Sequence, residues 1–257
     1  MTKNKSIYNT LSDLRQKKKK GIAVLIDPDT VKQTHFPALI NSCEANEVDF
    51  VFVGGSLLVE DKTNWILEQF QGTSIPTILF PSTSMHIHHQ ADGFLLLSLL
   101  SGRNPDYLIG QHVLAAPFLK SSGMEIMSTS YLLIDSGAPT TATYISNTTP
   151  LPSNKPSIAA STALAGELLG HSLTFLDAGS GASQPVPAAI IRAVREQVST
   201  PMIVGGGINT ALKAFDAFQA GADLLVVGNA IEKEIDFLST LSEVKQKYNQ
   251  HSLLASL

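Results

Sequence analysis

The sequence predicts an α/β chain folded as a (β/α)8 barrel, a TIM barrel, with a short or defective third helix. Three observations carry this. Eight short apolar, β-branched runs recur along the chain, and most are separated by stretches with apolar residues at three- and four-residue spacing. Strands that alternate with helices imply parallel pairing, because parallel strands need a long crossover. Eight such units of about thirty residues fill a barrel of this size, and the chain has 257 residues. No linker, low-complexity tract or repeat beyond the βα unit divides it, so residues 1–257 read as one domain.

The predicted strands are residues 22–26, 50–53, 77–80, 94–97, 131–134, 174–176, 202–204 and 224–227. The helical stretches between them are 36–46, 62–71, 105–118, 157–169, 187–198 and 211–220, the fifth showing its face at Ile190, Ile191, Val194 and Val198. The third unit is irregular. Only about a dozen residues, among them Pro81, Ser82, His86, His88 and His89, separate the third strand from the fourth, which predicts a groove on the barrel wall. Residues 137–157, rich in Thr, Ser, Asn and Pro, predict a long loop after the fifth strand, of the kind that covers functional sites. The helix at 105–118, with Tyr107, Leu108, Ile109, Val113 and Leu114, is expected to belong to the core, or to border an apolar channel beside the short crossover.

Composition narrows the function. Hydrophobic residues make up 44% and charged residues 16%, enough for a large core and too apolar for a disordered chain. A net charge of −4 argues against general nucleic-acid binding, which needs cations to neutralise phosphates. The single cysteine, Cys43, cannot form an intrachain disulfide and fits a cytoplasmic protein. No apolar stretch approaches the length of a membrane span or a signal-peptide core. The run Lys17-Lys18-Lys19-Lys20 could touch anionic lipid or phosphate, but reads first as a solvated helix end.

Barrel enzymes place their active sites at the C-terminal ends of the strands. Three of those ends carry glycine turns: Asp177-Ala178-Gly179-Ser180-Gly181, Gly205-Gly206-Gly207 and Gly228-Asn229. Glycines let backbone N–H groups approach an anion, and turns after strands seven and eight commonly hold phosphate. Gly206, Gly207, Gly228 and Asn229 therefore predict a phosphate cradle, with Ser180 as a hydroxyl donor. After strand one, Asp27 could join Ser56 from strand two in holding a hard cation such as Mg2+, which keeps several waters and bridges substrate phosphates. The alternative is a turn at Asp27-Pro28 with Asp29 capping the next helix. Asp177 could take a proton from a substrate hydroxyl, hydrogen-bond it, or cap a helix. His86, His88 and His89 lie on different faces with no carboxylate cluster, and read as surface residues; His35, His112, His171 and His251 are isolated.

These rim motifs resemble those of the geranylgeranylglyceryl phosphate synthases and their bacterial relatives, the heptaprenylglyceryl phosphate synthases. The residues are Ile26-Asp27-Pro28-Asp29, Val53-Gly54-Gly55-Ser56, Ser98-Leu99-Leu100-Ser101, Tyr131-Leu132-Leu133, Tyr144-Ile145-Ser146, Lys155-Pro156, Leu176 to Ala182, Val204 to Ile208 and Val227-Gly228-Asn229-Ala230. They run in family order from about Leu11 to Glu232. The resemblance implies a barrel whose third helix is replaced, and a Mg2+-dependent prenyl transfer. The hydroxyl of sn-glycerol 1-phosphate attacks a polyprenyl diphosphate, geranylgeranyl foremost, giving an ether-lipid precursor and diphosphate. It implies Asp27 and Ser56 at the metal, and Phe175, Leu176, Asp177, Ala178, Gly179, Ser180, Gly181, Gly206, Gly207, Gly228 and Asn229 at the glycerol phosphate, with Asp177 catalytic. It also implies a homo-oligomer, a dimer or a hexamer.

This chain departs from the family in having Phe175-Leu176-Asp177 where many members have Tyr-Leu-Glu, and Leu25 where one branch has Lys. Competing expectations are a sugar-phosphate isomerase or aldolase on the same barrel, or a lipid-binding protein that lost activity. A Schiff-base aldolase wants a lysine at a strand end, and none of the eight runs ends in one.

Overall fold

The computed structural model describes residues 6–84 and 86–254, with side chains through residue 250. Eight strands close a parallel barrel in sequence order. They are β1 (Gly21–Ile26), β2 (Phe50–Val53), β3 (Thr77–Leu79), β4 (Gly93–Leu99), β5 (Glu125–Leu133), β6 (Leu173–Asp177), β7 (Met202–Gly205) and β8 (Leu224–Val227). The seam closes where β1 pairs with β8, Ile22 opposite Leu225 and Val24 opposite Val227. Ten α-helices accompany them among the described residues: α1 (Ile7–Gln16), α2 (Phe36–Ala45), α3 (Thr63–Phe70), α4 (Gln111–Ser121), α5 (Thr141–Ile145), α6 (Pro156–Leu168), α7 (Ala188–Gln197), α8 (Ala211–Ala220), α9 (Asn229–Lys233) and α10 (Phe237–Leu254).

Successive side chains on a strand point to opposite faces, and the core is accordingly two layers. Ile22, Val24, Val51, Val53, Leu176 and Val204 pack outward against the helices. Ala23, Phe50, Phe52, Tyr131, Phe175 and Ile203 fill the barrel interior. Both faces are covered, so the strands are near-continuous apolar runs. Helix α1 lies across the N-terminal end and puts Ile7, Leu11 and Leu14 into the interior layer. Each such side chain contributes about 2 kcal/mol by leaving water. Its entry is fixed by Glu125 at the start of β5, whose carboxylate accepts Ile7 N at 2.7 Å and Tyr8 N at 2.8 Å.

Two expectations change. The first half of β5 was not expected to be strand. It is polar, and its hydroxyls are satisfied locally: Thr129 Oγ1 donates to Met127 O at 3.0 Å, and Ser130 Oγ pairs with His171 Nδ1 at 2.8 Å. The helix expected at 105–118 opens as a π-helical turn over Asp106–Gly110 and continues as α4; Ala115 and Leu119 alone join the core, and Tyr107 and Ala115 border an apolar groove, the second of the two expectations. Ile109, Val113, Leu114 and Phe118 are each about 60% exposed, because α4 turns only Ala115 and Leu119 fully inward. The third crossover is short as expected: between Leu79 and Gly93 no helix occurs among the described residues. The loop expected at 137–157 carries α5, begun by a capping box at Thr140. Met85 and the side chain of His251 lie outside the described residues.

Candidate active site

The C-terminal mouth of the barrel opens into a polar basin of about 280 Å³. It is lined by Asp27, Ser56, Phe175, Asp177, Gly179, Ser180, Gly181, Gly206, Gly207, Gly228 and Asn229 among others. The structure thus brings most of the sequence-predicted site together. Leu176 and Ala178 are the exceptions. Both are buried in the outer layer between barrel and helices, because they alternate with the mouth-facing Phe175 and Asp177. They carry the backbone that aims their neighbours, and their side chains do not face the basin.

The glycine turns sit in conformations that side chains resist. Gly206 has φ +82°, and a Cβ there would lie 2.8 Å from both Asp177 Oδ1 and Gly179 N. Its freedom lets the turn after β7 pack against the turn after β6. Ser180 Oγ donates to Asn229 Oδ1 at 3.1 Å and ties the turn after β6 to the start of α9.

Asp177 is buried at the end of β6, 7% exposed. Tyr131 Oη donates to its Oδ2 at 2.6 Å, and Gly179 N donates to its Oδ1 at 2.8 Å. Burial pushes the carboxyl above its ordinary range, while these two donors pull it down. Burial and the facing Asp177 charge push the Tyr131 hydroxyl well up, so it stays a donor. Tyr131 also packs edge-on against Phe175 and Phe80, with ring centres 5.4 and 5.7 Å away. Tyr131→Phe removes a donor to the ionised carboxylate. The acid limb of the activity profile should then move to higher pH, with activity on that side falling about tenfold, the scale of one charge-assisted hydrogen bond. A pH–rate profile checks it; an unmoved acid limb would separate Asp177 from the rate. Because the folded Asp177 value is raised, its contribution favours the fold below the ordinary carboxylate range and is lost as pH rises through the raised value.

Asp27 and Asp29 divide their work. Asp29 accepts Val59 N at 2.7 Å and Glu60 N at 2.8 Å, so it pins the loop after β2 instead of capping a helix. Asp27 accepts Asp29 N at 3.0 Å through Oδ1 and faces the basin. A Cβ on Gly55 would lie 2.9 Å from Asp27 Oδ2, so the bare glycine keeps room around that oxygen. Glu232, from α9, lines the same basin, and burial with the Asp27 charge raises its carboxyl. No group of three or more His, Cys, Asp or Glu side chains is arranged to hold a metal among the described residues. The donors on this side of the basin are the Asp27 and Glu232 carboxylates and the Ser56 hydroxyl, all oxygen. That fits a hard cation that keeps waters and takes its other ligands from substrate. Glu232 and Lys233, both on the basin wall, were not anticipated from sequence; the four-residue spacing from Asn229 to Lys233 on α9 was the available signal.

A second compartment adjoins the basin. It is an apolar groove of about 90 Å³ where the third helix is missing, lined by Phe94, Leu96, Leu99, Tyr107 and Ala115, with Ala142 and Ile145 from α5. Gly55, Ser56 and Phe80 line both compartments. His112, expected to be without a role, borders the groove and pairs through Nε2 with Ser98 Oγ at 3.0 Å. His86 pairs with Ser82, and His88 pairs with Asn64 and, at 3.2 Å, with Asp61; they form no metal-holding group among the described residues.

A mouth with one polar and one apolar chamber, on a fold whose catalysis is done at that end, defines a barrel enzyme for an amphiphilic reaction. The chain belongs to the PcrB family, whose model matches residues 13–246. It is 52% identical over 241 residues to the geranylgeranylglyceryl phosphate synthase of Spirosoma linguale, covering 93% of this chain and 97% of that one. It is 50% identical over 238 residues to the enzyme of the same name from Chitinophaga pinensis, covering 92% and 94%. The crystal structure of (S)-3-O-geranylgeranylglyceryl phosphate synthase from Thermoplasma acidophilum, in complex with sn-glycerol-1-phosphate, superposes with a TM-score of 0.87 at 28% identity, over 96% of this chain and 99% of that chain.

Proposed function

We propose that this prenyltransferase moves a polyprenyl group, geranylgeranyl foremost, from its diphosphate to the 3-hydroxyl of sn-glycerol 1-phosphate, with Mg2+ as its metal. One observation carries the reading: the glycine-lined basin and the apolar groove meet at Gly55, Ser56 and Phe80. The first chamber suits a small phosphorylated polyol, and the apolar lining of the second suits the allylic end of an isoprenoid chain, with the reacting atoms at the junction. A sugar-phosphate isomerase or aldolase has no use for the groove.

The amides of Gly206, Gly207, Gly228 and Asn229 take the glycerol phosphate, joined by the Ser180 hydroxyl and the turn Gly179–Gly181. Phe175 walls the basin beneath it, and the backbone of Leu176 and Ala178 aims the turn. The substrate hydroxyl oxygen bonds to the allylic carbon as the bond from that carbon to the diphosphate oxygen breaks. The electron pair leaves with diphosphate, and Asp177 receives the hydroxyl proton. Tyr131 and Gly179 hold Asp177 in place for this. Asp27 and Ser56 would hold Mg2+, which would supply stabilisation of the charge on the leaving diphosphate. Phe80 and the groove lining exclude water from the allylic centre. The exposed apolar face of α4 supports self-association as a dimer or hexamer. The lone, buried Cys43 supports a cytoplasmic setting, and no described helix is long and apolar enough to cross a membrane.

The test is incubation with radiolabelled sn-glycerol 1-phosphate, Mg2+ and prenyl diphosphates from farnesyl to heptaprenyl. Label should pass into the organic phase, most with geranylgeranyl diphosphate. No organic-soluble label at any chain length overturns the reading.

A further inference from the structure

The N-terminal end of the barrel, opposite the mouth, carries a cleft of about 1170 Å³ between α1, α8 and α10. The lysine run closes α1 there. Lys18 takes a left-handed conformation, φ +52°, and Lys19 N donates back to Leu14 O at 2.8 Å, so the run folds under the barrel instead of trailing into solvent. The lining includes Arg15, Lys18, Lys19, Lys20, Arg195 and Lys247, against one lining carboxylate, Asp223.

That carboxylate is already spent. Asp223 Oδ2 receives Arg195 Nη1 at 2.9 Å and Met202 N at 2.9 Å, and Lys20 lies 4.0 Å from Oδ1. Lys20 is buried, donates to Ala222 O at 2.6 Å and sits 5.1 Å from the Tyr248 ring centre. Burial first, then the charges of Arg195 and Arg15, bring its amine down to about 8, against the opposing pull of Asp223. Arg15 and Arg195 each bury a guanidinium Nε with no hydrogen-bond partner. Buried donors without partners cost free energy, and cations crowded around one carboxylate repel one another. An anion in the cleft offsets the crowding of the cations, while the two buried Nε groups lie out of its reach. The facing wall, Phe215, Phe218, Val244 and Tyr248, is apolar and aromatic.

We propose that this cleft is a second anion site, distinct from the catalytic mouth, that binds a phosphate or diphosphate group through Arg15, Lys18 and Lys19. The guanidinium of Arg15 supplies directional donors, and the two exposed lysines supply point charges that adapt to a headgroup. The group arrives either free, as a soluble diphosphate, or on a phospholipid seated against the aromatic wall; the chemistry is the same. The site does not depend on the prenyltransferase reading, since no residue is shared with the mouth.

The test is competitive amine acetylation of the intact chain, read lysine by lysine by mass spectrometry. One arm contains inorganic diphosphate, one contains vesicles of equal parts phosphatidylglycerol and phosphatidylcholine, and one contains chloride at matched ionic strength. Lys18, Lys19 and Lys247 should be modified about tenfold more slowly with diphosphate or with the anionic vesicles than with chloride, the scale of one charge-assisted contact. Lys120, on α4, should not change, and Lys233 reports the mouth separately. Arg15→Gln and Lys18→Gln should each remove the slowing at Lys19 and Lys247 while turnover is kept. Slowing by diphosphate alone assigns a soluble ligand, and slowing by vesicles alone assigns a lipid headgroup. No slowing in either arm, or slowing that survives both substitutions, overturns the proposal.

Discussion

Asp27→Asn should lower turnover about a hundredfold, the scale of losing a charge-stabilising contact at a leaving group, and should flatten the Mg2+ dependence. Asp27 ends β1, its Oδ1 is held by Asp29 N, and its Oδ2 faces the space kept by Gly55. Burial, with the neighbouring Asp29 charge, raises its carboxyl, so a cation gains from meeting it. Asparagine keeps the shape and loses the charge. Asp29→Asn serves as the contrast. Its carboxylate is spent on Val59 N and Glu60 N, so that change should soften the loop and leave Mg2+ titration in place. Initial rates across a Mg2+ series decide the matter, and an unchanged Mg2+ midpoint in Asp27→Asn rejects Asp27 as a ligand.

Gly206→Val should raise KM for glycerol phosphate at least tenfold, on the order of one or two lost amide hydrogen bonds, while KM for the prenyl diphosphate stays near its original value. Two costs act together. The backbone at φ +82° is one a β-branched residue resists, at about 1–3 kcal/mol. A Cβ would also press on Asp177 Oδ1 and Gly179 N at 2.8 Å, moving the turn after β6 that shares the cradle. Thermal unfolding separates these effects: a lower Tm with unchanged KM would mean that the turn is structural only. A rise in the prenyl KM instead would assign Gly206 to the other compartment.

How much of this was legible in the sequence follows from burial. Parallel strands buried on both faces read as continuous apolar runs, and β2 and β8 begin and end where the pattern predicts. β5 was half hidden, because Ser128, Thr129 and Ser130 satisfy their hydroxyls within the fold and look like loop residues. Helix α1 was read only through its lysine-run end, as a solvated one, although Ile7, Leu11 and Leu14 have helical spacing; a polar, lysine-ended segment gives no sign that it plugs a barrel. The face of α4 was misread because periodicity shows that a helix has an apolar stripe, not what the stripe meets.

The site was legible where chemistry sits in the backbone. Glycines at strand ends mark amides open to an anion, and Gly179, Gly206 and Gly207 indeed face one basin. It was less legible where a side chain acts through a distant partner. Nothing near Asp177 in the sequence announces Tyr131, 46 positions away, as its donor. The Asp177 carboxylate is held from two sides, by the Tyr131 phenol and the Gly179 amide. Its neighbour Phe175 stacks on Phe80, with ring centres 5.4 Å apart, so the ring that carries no hydroxyl closes the floor of the basin instead.

The most direct measurement is a crystal structure of the chain with sn-glycerol 1-phosphate, Mg2+ and a non-hydrolysable prenyl diphosphate analogue bound together. The phosphate should lie on the amides of Gly206, Gly207, Gly228 and Asn229, the free hydroxyl within reach of Asp177, the metal between Asp27 and the diphosphate, and the isoprenoid along Phe94, Leu96 and Tyr107. A phosphate bound elsewhere, or an isoprenoid that leaves the mouth by another wall, would contradict the two-compartment account.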